Sequence, residues 1–450
     1  MKRRRVFRGV LSMGYGKAVV ALLQLAMVPA LATAWGLAGY GQWLLLATVP
    51  SFLIGSDLGF GSAAGNRLIG EVARGDTCSA RVTFQSAFAV VLGCSAALLV
   101  LVLALSALLP GRLLAASGGL DAGAARSVLM VLSVWAVVGL QSKLFMAAIN
   151  AHGGFALTAS FEATVLLAEG LAVIAIAITG GTPLEAAFGY LIVRTFGVAG
   201  YVGLACRRAK WLVLGFRHST RARMSELLRP ALAAMTLPLA QAGYLQGTAL
   251  AVGAAAGAAT VPIFTSLRTL SRVGLQAILA VAVPMMPEFT AEHARGNVPW
   301  LQRITGALTT LNVVVGAIAG LILFLGGNEL LRWWTRGTIS APQAMISLTA
   351  VGLVAGAVWN PLSYLLLSVN RHEKFAYAFG FATCVAVILS YAFVRNWGVT
   401  GAAAANLLLD LAMLIVVVKQ LWLVTGPFPL GLSAMHVIVP QRWLRRLRRP

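Results

Sequence analysis

Apolar side chains in this chain fall in long unbroken stretches separated by short polar and basic segments. A helix needs about 20 mostly apolar residues to cross a bilayer core. Stretches of that kind predict spans near 9–35, 38–62, 82–109, 124–149, 155–179 and 184–206, then near 228–251, 257–287, 302–327, 341–369, 375–396 and 400–424. The predicted class is all-α: a polytopic membrane protein of about twelve transmembrane helices, with no soluble domain of any size. The opening MKRRRVFRGV has the basic start of a signal peptide. The apolar run behind it continues to about residue 35, longer than a cleavable leader's core, and predicts an uncleaved first span.

Composition supports this pattern. Of 450 residues, 59% are apolar and 11% are charged, against about 25% charged in a soluble domain. The net charge of +22 does not imply nucleic acid, because membrane proteins collect Lys and Arg in their cytoplasmic loops. The basic residues stand in short runs between apolar stretches, such as RRAK (207–210) and RHSTRAR (217–223), without a basic domain or an aromatic platform. With the N-terminus inside, the cytoplasmic segments hold 26 basic residues and the opposite side five, a strong positive-inside bias. Lys143 is counted among the 26. Both termini are then cytoplasmic, which requires an even number of spans. Tryptophans near span ends (Trp35, Trp43, Trp211, Trp300, Trp333, Trp334, Trp397 and Trp422) are expected to anchor at the headgroups.

The linker divides the chain into an N-lobe at 1–206, a basic cytoplasmic linker at 207–227, a C-lobe at 228–424 and a basic cytoplasmic tail at 425–450. The tail is expected to rest on anionic lipid. AWGLAGYGQWLLLATV (34–49) can be laid on AAGAATVPIFTSLRTL (255–270), and GTPLEAAFGYLIVR (181–194) on GVTGAAAANLLLDL (398–411). Six spans per copy relate the halves by an axis along the membrane normal, which predicts two pseudo-symmetric six-helix lobes around a central cavity.

Charges inside spans carry the chemistry. A Lys, Arg or Asp at a helix centre costs roughly 2.5–3.5 kcal/mol on insertion scales, so such groups face the bundle interior or a wet cavity. Lys17, Arg194, Arg268 and Arg272 qualify, as do Asp57, Glu162, Glu169 and Asp410. Arg268, Arg272 and Gln276 recur every four residues and share a helix face. Lys17 with Gln24, and Glu162 with Glu169, are seven apart; Asn406 and Asp410 are four apart; Gln241, Tyr244 and Thr248 form another polar stripe. Two adjacent arginines need two acidic partners or an anionic ligand, and the guanidinium fork suits phosphate. The acids have two readings: a dehydrated carboxylate that exchanges H+ or Na+ as a coupling ion, or a counter-ion for Arg194 or Arg272.

Other chemistries find little support. The four cysteines are scattered without C-x-x-C spacing, the five histidines are dispersed, and neither H-E-x-x-H nor D-x-D occurs. No metal, cofactor or catalytic residue is expected. A polymerase or ligase of polysaccharide assembly would need a long extracytoplasmic loop, and the longest run to roughly fifteen residues.

GLAGYGQWLLLATVPSFLIGSDLGFGSAAGNRLIGEVARGD (36–76), with its G-x-x-G-Y-G turn and DLGFG run, resembles the start of polysaccharide flippases of the Wzx type, in the multidrug/oligosaccharidyl-lipid/polysaccharide exporter superfamily. VGLVAGAVWNPLSYLLLSVNRHEKFAY (351–377) is similar to that family's span 10, and WGVTGAAAAN (397–406) to its entry into span 12. The resemblance implies a MATE-like carrier in the bacterial inner membrane. Such a carrier moves undecaprenyl-pyrophosphate-linked oligosaccharide between leaflets by alternating access, for exopolysaccharide or lipopolysaccharide synthesis alongside polymerase machinery. On that reading Lys17, Arg194, Arg268 and Arg272 bind pyrophosphate or acidic sugars, and Gln24, Gln241, Tyr244 and Asn360 are candidate sugar contacts. Multidrug extruders share the layout but export cations, so acids should dominate their cavities. A major-facilitator carrier should show G-x-x-x-D-R-x-G-R after span 2, where this chain reads GNRLIGEVARGD.

Overall fold

The computed structural model describes residues 2–56, 59–108, 111, 119–282, 285–369, 371 and 373–430. Every regular element among them is helical: α1 (Lys2–Ser56), α2 (Phe60–Ala73), α3 (Thr77–Leu108), α4 (Ala122–Ala151), α5 (Phe155–Ile178), α6 (Pro183–Arg208) and α7 (Arg221–Ala242). A π-helical turn (Gly243–Gly247) then leads into α8 (Thr248–Ala256), α9 (Thr260–Ala282), α10 (Met286–Ala294), α11 (Val298–Trp334), α12 (Gln343–Ser368), α13 (Glu373–Trp397) and α14 (Val399–Thr425).

Nine of these helices are long and apolar enough to cross a membrane. One of the nine, α1, is two helices joined at Gly36, whose φ of 67° only glycine adopts without strain. The α7–π-turn–α8 segment and α9 are helical over the two remaining predicted spans, 228–251 and 257–287. The protein is a polytopic all-α membrane protein.

Capping residues fix where helices begin. The Asp121 carboxylate accepts from the Ala124 amide at 3.3 Å at the start of α4. Thr182 and Glu185 form a reciprocal capping box with Pro183 in the first turn of α6. Thr220 caps α7 and Asn297 caps α11 through main-chain amides.

Contacts divide the chain into two compact units, 1–253 with 257–262, and 254–256 with 263–450. In the first unit α4 is central and touches α1, α2, α3, α5 and α6. Segment 209–220, between α6 and α7, is tied to α3. Arg81 Nε donates to Trp211 O at 3.0 Å, and Gln85 Nε2 to Val213 O at 2.9 Å. The His218 amide donates back to Gln85 Oε1 at 2.6 Å, and the Thr220 amide to Ser86 Oγ at 3.0 Å. Trp211 is an anchor of the core, packed edge-on to Phe84 and donating from Nε1 to His152 Nε2 at 2.9 Å.

The α7 helix also belongs to this unit. Arg67 bridges Glu71 and Glu226, at 3.2 and 2.8 Å, and Arg223 reaches both acids at 3.4 Å. Backbones touch as well. A Cβ at Gly59 would stand 2.0 Å from the Ala231 carbonyl oxygen, and one at Gly41 1.9 Å from that of Ala258.

In the second unit α12 packs against α11 and α14, α13 packs against α14, and α10 rests on α11 and α12. Small residues set the spacing: a Cβ at Gly316 would come within 2.7 Å of Ala357, and one at Gly320 within 3.0 Å of the Ala350 carbonyl oxygen. After α14 the chain turns at Gly426 and crosses α11, where the Pro429 carbonyl lies over Gly306.

Candidate functional site

Four charged side chains on span-length helices meet in the first unit, on α4, α5 and α6. The Arg194 fork holds Glu169 at both ends, with Nε to Oε1 at 2.7 Å and Nη2 to Oε2 at 2.6 Å. Its remaining terminal nitrogen, Nη1, reaches Glu162 Oε1 at 3.2 Å. Trp135 on α4 donates from Nε1 to Glu169 Oε1 at 2.7 Å, and the guanidinium lies 5.9 Å from its ring centroid. Glu162 is completed by the Tyr201 hydroxyl at 3.0 Å on Oε2 and by Lys143 Nζ, 3.7 Å from Oε1. Two cations and two anions therefore neutralise one another, as a site shielded from water requires.

Burial is graded across the cluster. The Glu169 side chain is fully buried and that of Arg194 is 5% exposed, whereas Glu162 and Lys143 are 26% and 27% exposed. Behind Trp135 an aromatic column runs through Tyr190 (5.2 Å) and Trp43 (5.8 Å) to Trp35 (5.4 Å).

The sequence reading counts Lys143 with the cytoplasmic cations; the structure sets it beside Glu162 of α5. It lies eight residues before the end of α4, about 12 Å along the helix axis at 1.5 Å per residue. The signal was its position inside the predicted span 124–149. What hid it was that its partner, Glu162, sits on another helix. The expected headgroup tryptophans also divide: Trp333, Trp397 and Trp422 are exposed, while Trp43 and Trp211 are buried in the core.

The other predicted residues are placed as follows. In the first unit Lys17 is exposed on α1, which meets α5 where the Tyr15 hydroxyl lies 3.3 Å from Thr164 Oγ1. Gln24 is half-buried, and its Oε1 has no hydrogen-bond partner among the described residues. Gln241 is exposed, and half-buried Tyr244 lies in the π-helical turn, its carbonyl accepting from the Thr248 hydroxyl at 2.6 Å. Asp57 lies outside the described residues.

In the second unit Arg268 and Arg272 are half-buried on α9, with the Arg268 guanidinium 4.9 Å from the Phe264 ring centroid. This helix is not among the nine most apolar ones, and the polar stripe Arg268–Arg272–Gln276 is the physical reason. Asn360 is half-buried on α12. Asp410 of α14 lies against the Gly352-x-x-x-Gly356 groove of α12, where added Cβ atoms would stand 3.3 and 3.5 Å from its oxygens. The Trp359 indole donates to Asp410 Oδ1 at 3.0 Å, and no described cation comes within salt-bridge distance. No group of three or more potential metal ligands occurs among the described residues.

No protein-family model matches the chain, and no curated protein matches its sequence. Solved structures do match its fold. A lipid II flippase, MurJ, in an inward closed conformation, aligns with TM-score 0.75 at 11% identity, covering 97% of this chain and 99% of that one. An inward-facing multidrug-resistance MATE transporter of the MOP superfamily aligns with TM-score 0.71 at 16% identity, covering 90% and 98%. A MOP superfamily transporter from Pyrococcus furiosus, described as having a binding pocket of reversed polarity, aligns with TM-score 0.59 at 16% identity, covering 93% and 96%. The chain has the fold these transporters share.

Proposed function

We propose that the protein is a flippase that carries undecaprenyl-pyrophosphate-linked oligosaccharide from the inner to the outer leaflet of the bacterial cytoplasmic membrane. It works by alternating access of two six-helix lobes, 1–206 and 228–424. The 207–227 linker, the 425–450 tail and both termini lie on the cytoplasmic side. The delivered cargo passes to the polymerase machinery of surface polysaccharide synthesis.

One observation carries the reading. On α9 two half-buried arginines stand one turn apart on one face of a predicted span. Two guanidinium forks one turn apart on one helix face suit the oxygens of a pyrophosphate. Lys17 is a further cationic contact, Gln24, Gln241, Tyr244 and Asn360 meet the sugars, and Arg194 acts through the cluster that holds it. The similarity to a lipid II flippase agrees with a lipid-linked cargo.

Asp410 is the acid best placed to exchange a coupling H+ or Na+. It sits in a glycine-lined notch with an indole donor and no described cation beside it, while Glu162 and Glu169 serve as counter-ions. A second reading, a multidrug or cation exporter, is favoured by the MATE similarity. The double variant Arg268→Ala/Arg272→Ala separates the two. The flippase reading expects surface polymer to be lost while the protein still inserts and accumulates in the membrane. Normal polymer output from that variant removes the pyrophosphate role.

A further inference from the structure

The charge cluster of the first unit is sealed at one end and open at the other. At the sealed end every nitrogen of Arg194 meets a carboxylate and Glu169 is fully buried. At the open end Lys143 has one ionic partner among the described residues, at 3.7 Å, beyond ordinary hydrogen-bond length. An ammonium carries three donors, so this contact leaves most of its capacity unfilled. Its helix is the most buried of the span-length helices of that unit. The Lys143 side chain is 27% exposed, so the ammonium can be reached from outside the packed helices.

Glu162 is the loosest member of the cluster. It is as exposed as Lys143, and behind its carboxylate stand Arg194 Nη1 and the Tyr201 hydroxyl. If Glu162 swung aside, three donors (Lys143 Nζ, Arg194 Nη1 and Tyr201 OH) would converge on one vacated place. That donor set is one that phosphate oxygens take.

We propose that Lys143 and Glu162 form an anion-exchange contact within the first unit, where the Glu162 carboxylate holds the place that a phosphate oxygen of the cargo takes on binding. The proposal rests on the reading of the cargo as an anionic lipid. It adds Lys143 as a substrate contact and makes Glu162 an internal competitor of the substrate. The two residues should then act in opposite directions, which a purely structural ion pair would not do.

The test uses the full chain in nanodiscs of neutral lipid, with farnesyl pyrophosphate, farnesol and inorganic pyrophosphate as probes. Glu162→Gln should tighten farnesyl pyrophosphate binding, and Lys143→Met should weaken it, each by about tenfold, the scale of one charge-assisted contact. Lys143→Arg should keep most of the wild-type affinity, which separates lost charge from lost folding. Farnesol binding should not change. Shifts of the same sign in both single variants, or none while the wild type binds, overturn the exchange contact and leave the flippase reading standing. Opposite shifts seen equally with inorganic pyrophosphate keep the exchange contact but remove the lipid cargo. A wild type that binds neither pyrophosphate overturns both.

Discussion

Glu169→Ala tests whether the cluster on α4, α5 and α6 is held together as the structure has it. The Glu169 carboxylate accepts from Arg194 Nε, Arg194 Nη2 and Trp135 Nε1, at 2.7, 2.6 and 2.7 Å, with none of its side chain exposed. Its removal leaves a guanidinium in a site it cannot leave, with Glu162 as its remaining acid. Breaking a buried pair on one side costs about 3–5 kcal/mol, because the surviving charge keeps its desolvation penalty. Removing both partners avoids that penalty, so Glu169→Ala/Arg194→Met should recover at least about 2 kcal/mol relative to the sum of the single variants. Lys143→Met is the internal control. Its contact is longer and more than a quarter exposed, which limits the loss to about 1 kcal/mol or less. Equilibrium unfolding in mixed micelles, followed by circular dichroism and tryptophan emission, measures wild type, Glu169→Ala, Arg194→Met, Lys143→Met and the double variant. A Glu169→Ala variant within about 1 kcal/mol of wild type would show that Glu169 does not hold the cluster together, as would an additive double variant or a Lys143→Met loss as large as that of Glu169→Ala.

Other consequences concern separate parts of the molecule. Gly59 has a φ of 65° and stands where a Cβ would strike the Ala231 carbonyl oxygen, so Gly59→Ala should cost at least about 1–2 kcal/mol from backbone conformation alone. Gly203, with nothing within 4 Å of an added Cβ, should tolerate alanine, and thermal unfolding of both variants decides the point. Asp410→Asn should keep the Trp359 hydrogen bond and the fold but remove the dependence of transport on an imposed ion gradient; an unchanged gradient response would exclude Asp410 as the coupling site. At the start of α3 the Asp76 carboxylate accepts from the Ser79 amide at 2.9 Å, and hydrogen bonds from Ser79 hold its pKa below the ordinary aspartate value. A depressed folded pKa gives stability that is present above the unfolded value and lost as pH falls through the folded one. Amide exchange in the first turn of α3 should therefore quicken only at pH below the usual aspartate range, and Asp76→Ala should abolish that step.

The spans were legible because a bilayer imposes length and apolarity on every crossing segment, and the twelve predicted runs correspond to observed helices. What lies beyond them was less so. The predicted loop after span 2 contains α2, a helix whose apolar face packs on α3 and α4. Span-length reasoning has no reason to propose a helix of 14 residues there. Likewise α7 begins at Arg221, inside the predicted linker, because Arg223 and Glu226 find partners on α2. Helical spacing placed Glu162 and Glu169 on one face, and both do turn toward Arg194. That Arg194 spends its donors on these two acids depends on how α5 and α6 pack, which no spacing within one helix encodes. Lys143 was lost for the same reason, since counting cations by nearest loop overlooks an acid on a neighbouring helix.

Cargo is decided by extracting lipids from cells lacking this protein and determining the leaflet of any lipid-linked oligosaccharide by enzymatic access. The account predicts undecaprenyl-pyrophosphate-linked oligosaccharide accumulating on the cytoplasmic face and cleared when the intact gene is restored. No accumulation, with surface polymer still normal, would contradict it and turn attention to drug export.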